Sequence, residues 1–302
     1  MPGSEKGLTI RQSEKRFARL MALPGMIALV LLVVGPLVYM FYNSFLTKTL
    51  AAPVPPQFVG FENYAVVFSN PRFWNAFKNT MLIVVIGIPI QSLLGLTMAL
   101  LLQKAFRGSK IIIAVFLIPV LITPVVSGFE WKIILDQRFG PINYLIGLLG
   151  MEPKAWLAEP FLAMASILIM DTWKWTPFVT VLLLAGLSAI PTQVYEASSV
   201  DGATYWETLW RVTMPLLKPM FTLVVLLRTI FIFKIFDPVY ILTGGGPGSA
   251  TETLSLLTYI NGFKNFNVGI TSTLAVIQLL VMVIIAQLFL NLVAKRKEGL
   301  TE

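Results

Sequence analysis

The chain has no cysteine and no histidine in 302 residues. Those two absences remove disulfides, thiolate metal sites, Cys–His and Ser–His nucleophile pairs and histidine proton relays. Charge is scarce too. Only 13% of the residues are Asp, Glu, Lys or Arg, whereas a soluble domain carries roughly a quarter. No G-K-[ST] phosphate-loop ending occurs anywhere in the chain. The glycine-rich run at Gly244–Gly248, GGGPG, lacks that ending and reads as a turn. The chain therefore has no sequence means of holding a nucleotide, and no metal or cofactor of its own is expected.

What is present is apolar. Hydrophobic residues make up 56% of the chain and the mean hydropathy is +0.79. A helix needs about 20 such residues to cross the hydrocarbon core of a bilayer. Six runs qualify: Ala22–Tyr42, Thr80–Leu102, Ile111–Trp131, Phe161–Ile190, Leu216–Leu242 and Ile270–Ala294. Backbone amides in lipid need internal partners, and no alternating barrel pattern appears, so an all-α bundle is expected. Pro36, Pro89, Pro119, Pro124 and Pro177 lie inside spans, as kinked membrane helices tolerate. The first run is longer than a signal-peptide core and is not followed by a clear A-x-A site, so it is expected to be retained.

The net charge of +8 is explained by where the basic residues fall, without invoking nucleic acid. Lys6, Arg11, Lys15, Arg16 and Arg19 precede the first run, and Lys104, Arg107 and Lys110 sit in a short loop between the second and third. Arg211 and Lys218 follow the fourth, and Lys295, Arg296 and Lys297 follow the sixth. The opposite loops are longer and sparser in Lys and Arg. Both termini and the segment between runs four and five are thus expected in the cytoplasm.

That segment is polar and organised. Thr192 is placed to cap a short helix with Glu196 in its first turn, and Gly202 fits a left-handed stop. Thr204 and Glu207 form a capping box for a second short helix, with Pro215 expected to mark its end. Tyr195, Trp206, Leu209 and Trp210 are expected on exposed faces, which favours a partner groove over a slack loop.

The same segment carries the resemblance to a family. Glu196, Ala197, Ser198, then after three intervening residues Gly202, and after nine more Val212, Thr213, Met214 and Pro215, match E-A-x-x3-G-x9-I-x-L-P. This is similar to the signature of membrane subunits of bacterial binding-protein-dependent ATP-binding-cassette (ABC) importers. Ser198, Val212 and Met214 depart from its commonest form by small or volume-conserving changes. Phe58–Thr80 resembles the family's segment preceding the second span, while "GPINYLI" at Gly140–Ile146 and "ILTGGGPGSATETL" at Ile241–Leu254 resemble the maltose and glycerol-phosphate branch.

The resemblance implies a fold, a task and partners. The fold is a six-span permease domain, 22–294, with a coupling hairpin at 191–215, a basic cytoplasmic segment 1–21 before it and a tail 295–302 after it. The chain would sit in the bacterial inner membrane and pass a sugar, oligosaccharide or polyol inward, with no enzymatic step of its own. ATP and magnesium would be held by a separate cytoplasmic ATPase dimer. Glu196, Ala197, Ser198, Asp201, Gly202 and Pro215 would dock on that ATPase. A sibling six-span permease and an extracytoplasmic solute-binding protein would complete the assembly.

Charges inside a span mark partners or a pathway. The fourth run holds Asp171 and Lys174, three apart and able to pair; the fifth holds Arg228, with Lys234 and Asp237 again three apart. Two readings stand: structural ion pairs, or a polar pocket near mid-membrane. By position in the family, the pocket residues would be Asp171, Lys174, Trp175, Phe178, Phe233, Lys234 and Asp237. The lysines depart from a neutral sugar pocket and leave an anionic sugar derivative open. The competing function is an ion-coupled secondary transporter using the same charges. It predicts an inverted repeat, which the sequence does not display, and gives the hairpin no task.

Overall fold

A computed structural model describes residues 10–103 and 108–298. Lys6, Lys104 and Arg107 of the charge pattern, and the end of the tail, lie outside the described residues. Fourteen helices, α1 to α14, follow one another, and the only β pairing among the described residues is two isolated bridges, Leu46–Phe58 and Thr49–Asn267.

Helix α1 (Ile10–Ser44) leads by a short α2 (Glu62–Ser69) into α3 (Pro71–Gln103). Then come α4 (Ser109–Phe116), α5 (Ile118–Leu121), α6 (Pro124–Ile134) and α7 (Pro141–Leu148). The long α8 (Pro160–Ser188) is followed by α9 (Thr192–Val200) and α10 (Tyr205–Glu207). The chain continues through a π-helical stretch, Thr208–Thr213, into α11 (Met214–Phe233). Helices α12 (Asp237–Leu242), α13 (Leu254–Tyr259) and α14 (Val268–Glu298) complete it, with a second π turn at Ile260–Lys264.

Among the described residues, five helices are long and apolar enough to cross a membrane: Phe17–Ser44, Pro71–Gln103, Pro160–Ser188, Tyr205–Phe233 and Val268–Phe289. The third sequence run is not among them. Its residues form α4, α5 and α6, interrupted at Leu117 and at Ile122–Thr123. Thr123 precedes Pro124, whose ring disfavours α geometry in the residue before it, and both Ile122 and Thr123 are extended. The fifth run is also shorter than the sequence predicts. It ends as a helix at Phe233, and Lys234–Phe236 separate it from α12.

The centre of the bundle is α3 against α8, with α11 beside both. Small residues let these backbones approach. A Cβ on Gly95 of α3 would lie 2.6 Å from Val179 of α8, and one on Gly186 would lie 2.6 Å from Met220 of α11. Close approach of this kind is how membrane helices gain van der Waals contact without a hydrophobic drive between them. Three apolar clusters stack along the bundle. One is centred on Ile83, Ile167 and Ile232, one on Phe73, Phe233 and Leu274, and one on Ala99, Leu183 and Leu217. Helix α1 runs along α14 at the edge, and from Met21 to Tyr42 its side chains are exposed or half-exposed.

Outside the bundle, Asp136 turns the chain after α6. Its carboxylate accepts from the Arg138 and Phe139 N–H groups, which hold the acid below its ordinary pKa. The Gly244–Gly248 run is a turn, with Gly244, Gly245 and Gly248 at positive φ. It is tied to the start of α3. Arg72 makes a two-pronged ion pair with buried Glu252 (2.8 Å from Nε, 2.7 Å from Nη2), and Asn75 and Asn79 donate to the Ser249 carbonyl.

Candidate functional site

Two regions gather the residues singled out by sequence. The first lies in the middle of the bundle. Asp171 does not pair with Lys174, as their spacing predicts. Its Oδ2 accepts from Arg228 Nη2 at 2.6 Å and from Gln91 Nε2 at 2.7 Å, while Arg228 Nε donates to Gln91 Oε1 at 2.7 Å. The three side chains close a triangle between α8, α11 and α3, and all are buried. Arg228 is fully buried, and its planar fork can hold two acceptors at once. The guanidinium also lies 4.8 Å from the centre of the Trp175 ring.

Lys174 turns the other way. Its ammonium donates to the Pro119 carbonyl at 3.0 Å, to the Ile122 carbonyl and to Ser127 Oγ at 3.3 Å. Lys234 and Asp237 form no ion pair, and Lys234 is exposed. Phe233 is not at the site at all. It is fully buried in the cluster with Phe73 and Leu274, and its carbonyl accepts from Ser255 Oγ at 2.8 Å. Helical direction explains this, because Phe231 and Phe233 cannot share a face. Phe231 takes the place expected of Phe233 and stacks on Trp175, with ring centres 5.0 Å apart, while Phe178 packs on both rings.

A pocket of about 140 Å³ opens here, lined by Asp171, Lys174, Trp175, Lys234 and Asp237 together with Pro124, Phe231, Ile235, Phe236 and Pro238. Five of the seven residues carried over from the family thus meet at one cavity, Phe178 supports its aromatic wall, and Phe233 is elsewhere. The walls come from two interrupted helices, the α5–α6 break and the α11–α12 break. Each break leaves backbone groups without helical partners, and each is supplied by side chains from other elements. Lys174 serves the first. Ser255, Gln278 and Thr253 serve the second, through the Phe233 and Ile235 carbonyls. Irregular backbone at membrane depth is tolerated where it is buried in protein or lines a cavity, and discontinuous helices mark solute sites in many transporters.

The sequence reading passed over Gln91, Phe231 and Ser127 and left Arg228 without a partner. Gln91 had a signal, since it is a side-chain amide in an otherwise apolar run and needs polar partners when buried. Nothing in the spacing pointed to Ser127.

The second region is the hairpin at the end of α8. Gly202 has φ +73°, the left-handed stop expected of it. The capping box is present: the Thr204 hydroxyl accepts from the Glu207 N–H at 3.3 Å, and Glu207 Oε2 accepts from the Thr204 N–H at 2.9 Å. Three details differ from expectation. Thr192 is already helical, the cap position belongs to Pro191, and no side chain caps that end. Glu196 falls one residue past the first turn. Pro215 ends nothing, since the second arm runs on without interruption into α11. Pro215 cannot donate to the Arg211 carbonyl and its ring crowds that turn; the wider π-helical turn at Thr208–Thr213 makes room.

Ser198 has a task that its small change from alanine concealed. It is buried, and its hydroxyl bonds Thr208 Oγ1 at 2.7 Å, tying α9 to the second arm. Between the arms lies an open recess of about 730 Å³ that includes Ala197, Ser198, Asp201, Gly202, Glu207 and Arg211. On the second arm Trp206 and Trp210 are 64% and 61% exposed, while Leu209 is buried. Glu196 is exposed on α9.

Residues 64–299 match the family described as binding-protein-dependent transport system inner membrane component. The chain is 36% identical to the trehalose/maltose transport system permease protein MalF of Thermococcus litoralis, over 89% of this chain and 90% of that protein. It is 33% identical to the sulfoquinovosyl glycerol transport system permease protein SmoG of Agrobacterium fabrum, over 93% and 91%. The fold resembles a chain in the crystal structure of a bacterial alginate ABC transporter in complex with an alginate pentasaccharide-bound periplasmic protein. The TM-score is 0.78 at 21% identity, covering 92% of this chain and 93% of that one.

Proposed function

The chain belongs to the family of binding-protein-dependent transport system inner membrane components, and from that membership we propose how its parts divide the work. It is the permease subunit of an ABC sugar importer and an integral membrane protein. It moves a sugar, oligosaccharide or polyol into the cytoplasm, driven by ATP hydrolysis on a separate subunit. The third, broken run crosses the membrane as a sixth span, in two pieces. Both termini and the hairpin face the cytoplasm. A second permease, usually a sibling in this branch, completes the pathway, and a solute-binding protein delivers the solute from outside.

The observation that carries the coupling role is the recess between the hairpin arms. Its lining includes Ala197, Ser198, Gly202 and Val212 of the sequence signature together with Asp201, and the capping box fixes the start of its second arm. A rigid concave element with exposed aromatics suits an ATPase surface, and α11 continues directly from it toward the pocket. Movement at the recess therefore reaches the pocket through one helix.

In the pocket, Trp175 and Phe231 offer faces on which a sugar ring stacks, and Lys234 and Asp237 offer hydrogen bonds to hydroxyls. Asp171 lines the cavity beside them, and Phe178 supports the aromatic wall from behind. Asp171 is engaged by Arg228 and Gln91, while Asp237 keeps a carboxylate in the pocket without an ion-pair partner among the described residues, so the energy source for uptake decides between this reading and an ion-coupled carrier. Reconstitution with the candidate ATPase tests the reading: uptake should require ATP. Uptake that follows an ion gradient without ATP would overturn it. Gly202→Pro should abolish ATP-driven uptake while the spans still insert, because proline cannot adopt φ +73°.

A further inference from the structure

We propose that Lys174 is a positioning residue which holds the broken third span closed against α8, and not a ligand for the solute. The ammonium group has three donors. All three are used, on the Pro119 carbonyl, the Ile122 carbonyl and Ser127 Oγ. In an unbroken helix the Pro119 carbonyl would accept from the Thr123 N–H and the Ile122 carbonyl from the Val126 N–H. Extended Ile122 and Thr123 remove that geometry and leave both carbonyls open in a bilayer-depth region where water is scarce. One lysine from α8 answers both sides of the break. Pro124, the first residue after the break, forms part of the pocket wall.

Lys174 is buried and Lys234, on the same pocket, is exposed and without an ion-pair partner among the described residues. The two lysines therefore have different tasks. Lys174 fixes where the wall stands, and Lys234 is the cation a solute meets. The second statement rests on the transport reading; the first does not.

The chain has no native cysteine, so a single introduced thiol reports on one place. Ser127→Cys puts it at the break, where the wild-type side chain is buried, and Ala99→Cys puts a control in the α3–α8 core. Alkylation of the full chain in membrane vesicles by iodoacetamide is followed at several pH values and each rate is expressed per thiolate, so that loss of a neighbouring charge does not enter the comparison. Lys174→Met should speed labelling at position 127 on the order of tenfold, the scale set by losing charged hydrogen bonds. Labelling at position 99 should stay as it was, and Lys234→Gln should leave position 127 unchanged. An unchanged or slower rate at 127 overturns the proposal. So does equal acceleration at 99, since the lysine would then hold the whole bundle. Failed uptake by the reconstituted importer would sink the transport reading and leave the labelling result standing.

Discussion

The mid-bundle charge cluster and the hairpin use the same kinds of residue in opposite ways. At the centre, Asp171, Arg228 and Gln91 are buried and bonded to one another across three helices. At the hairpin, Glu207 and Arg211 stand 3.6 Å apart one helical turn from each other, with the arginine 79% exposed. The centre is bonded within the chain, with Arg228 Nη1 the one nitrogen of the triangle left without a partner among the described residues. The hairpin is tied internally by its capping box and the Ser198–Thr208 bond and leaves a recess and two exposed tryptophans. A polar cluster that closes on itself holds a bundle together, and one that stays open has a surface to offer.

The contrast breaks most sharply at Arg228. Removing one member of a buried pair leaves an uncompensated charge, which costs about 3–5 kcal/mol. Arg228→Met should therefore lower the unfolding midpoint in detergent strongly, read by tryptophan fluorescence. The triple replacement Gln91→Leu, Asp171→Leu and Arg228→Met should recover most of the loss, because no polar group is then left unpaired. If the triple variant is as unstable as the single one, the triangle is not what the arginine contributes.

The difference between the two regions also decides how much could be read beforehand. The hairpin was legible because its determinants are local. Gly202 and the Thr204–Glu207 box act within a few residues of themselves, and the structure has both. The pocket was legible only as a neighbourhood. Asp171, Lys174, Lys234 and Asp237 do line one cavity, but the spacing of three suggested partners that the fold does not use. Gln91 is 80 residues from Asp171, and helix periodicity carries no information about such a contact. The third run failed as a continuous helix for a reason that was visible, Pro124 acting on Thr123, although hydropathy alone counts it as a span. Pro215 misled in the other direction, because a π turn absorbed it.

Sharper tests lie in the hairpin, where effects are smaller. Thr204→Ala removes the cap on the second arm and should cost about 1 kcal/mol. Since that arm continues into α11, stability should fall slightly while ATP-driven uptake falls further. A loss of stability with full coupling would separate the cap from the coupling role. Ser198→Ala removes the hydroxyl tie to Thr208 and should cost about 0.5–1.5 kcal/mol. It also moves the chain toward the commonest family form, so coupling should survive and only the unfolding midpoint should drop.

Arg211→Ala is the mildest of the set and the most diagnostic of the comparison. The pair with Glu207 is exposed, and such pairs add little to stability because water and salt screen them. Glu207 keeps its bonds to Thr204 when the arginine is gone, so the cap stands without it. The unfolding midpoint should therefore not move, at low salt or high. Arg211 nonetheless lines the recess. If that recess receives the ATPase, the arginine contributes to the encounter, and its removal should weaken assembly of the complex more at low ionic strength than at high. Co-purification of the ATPase across a salt series measures this. A stable variant whose assembly is unaffected at every salt would place Arg211 outside the docking surface and narrow that surface to the α9 side.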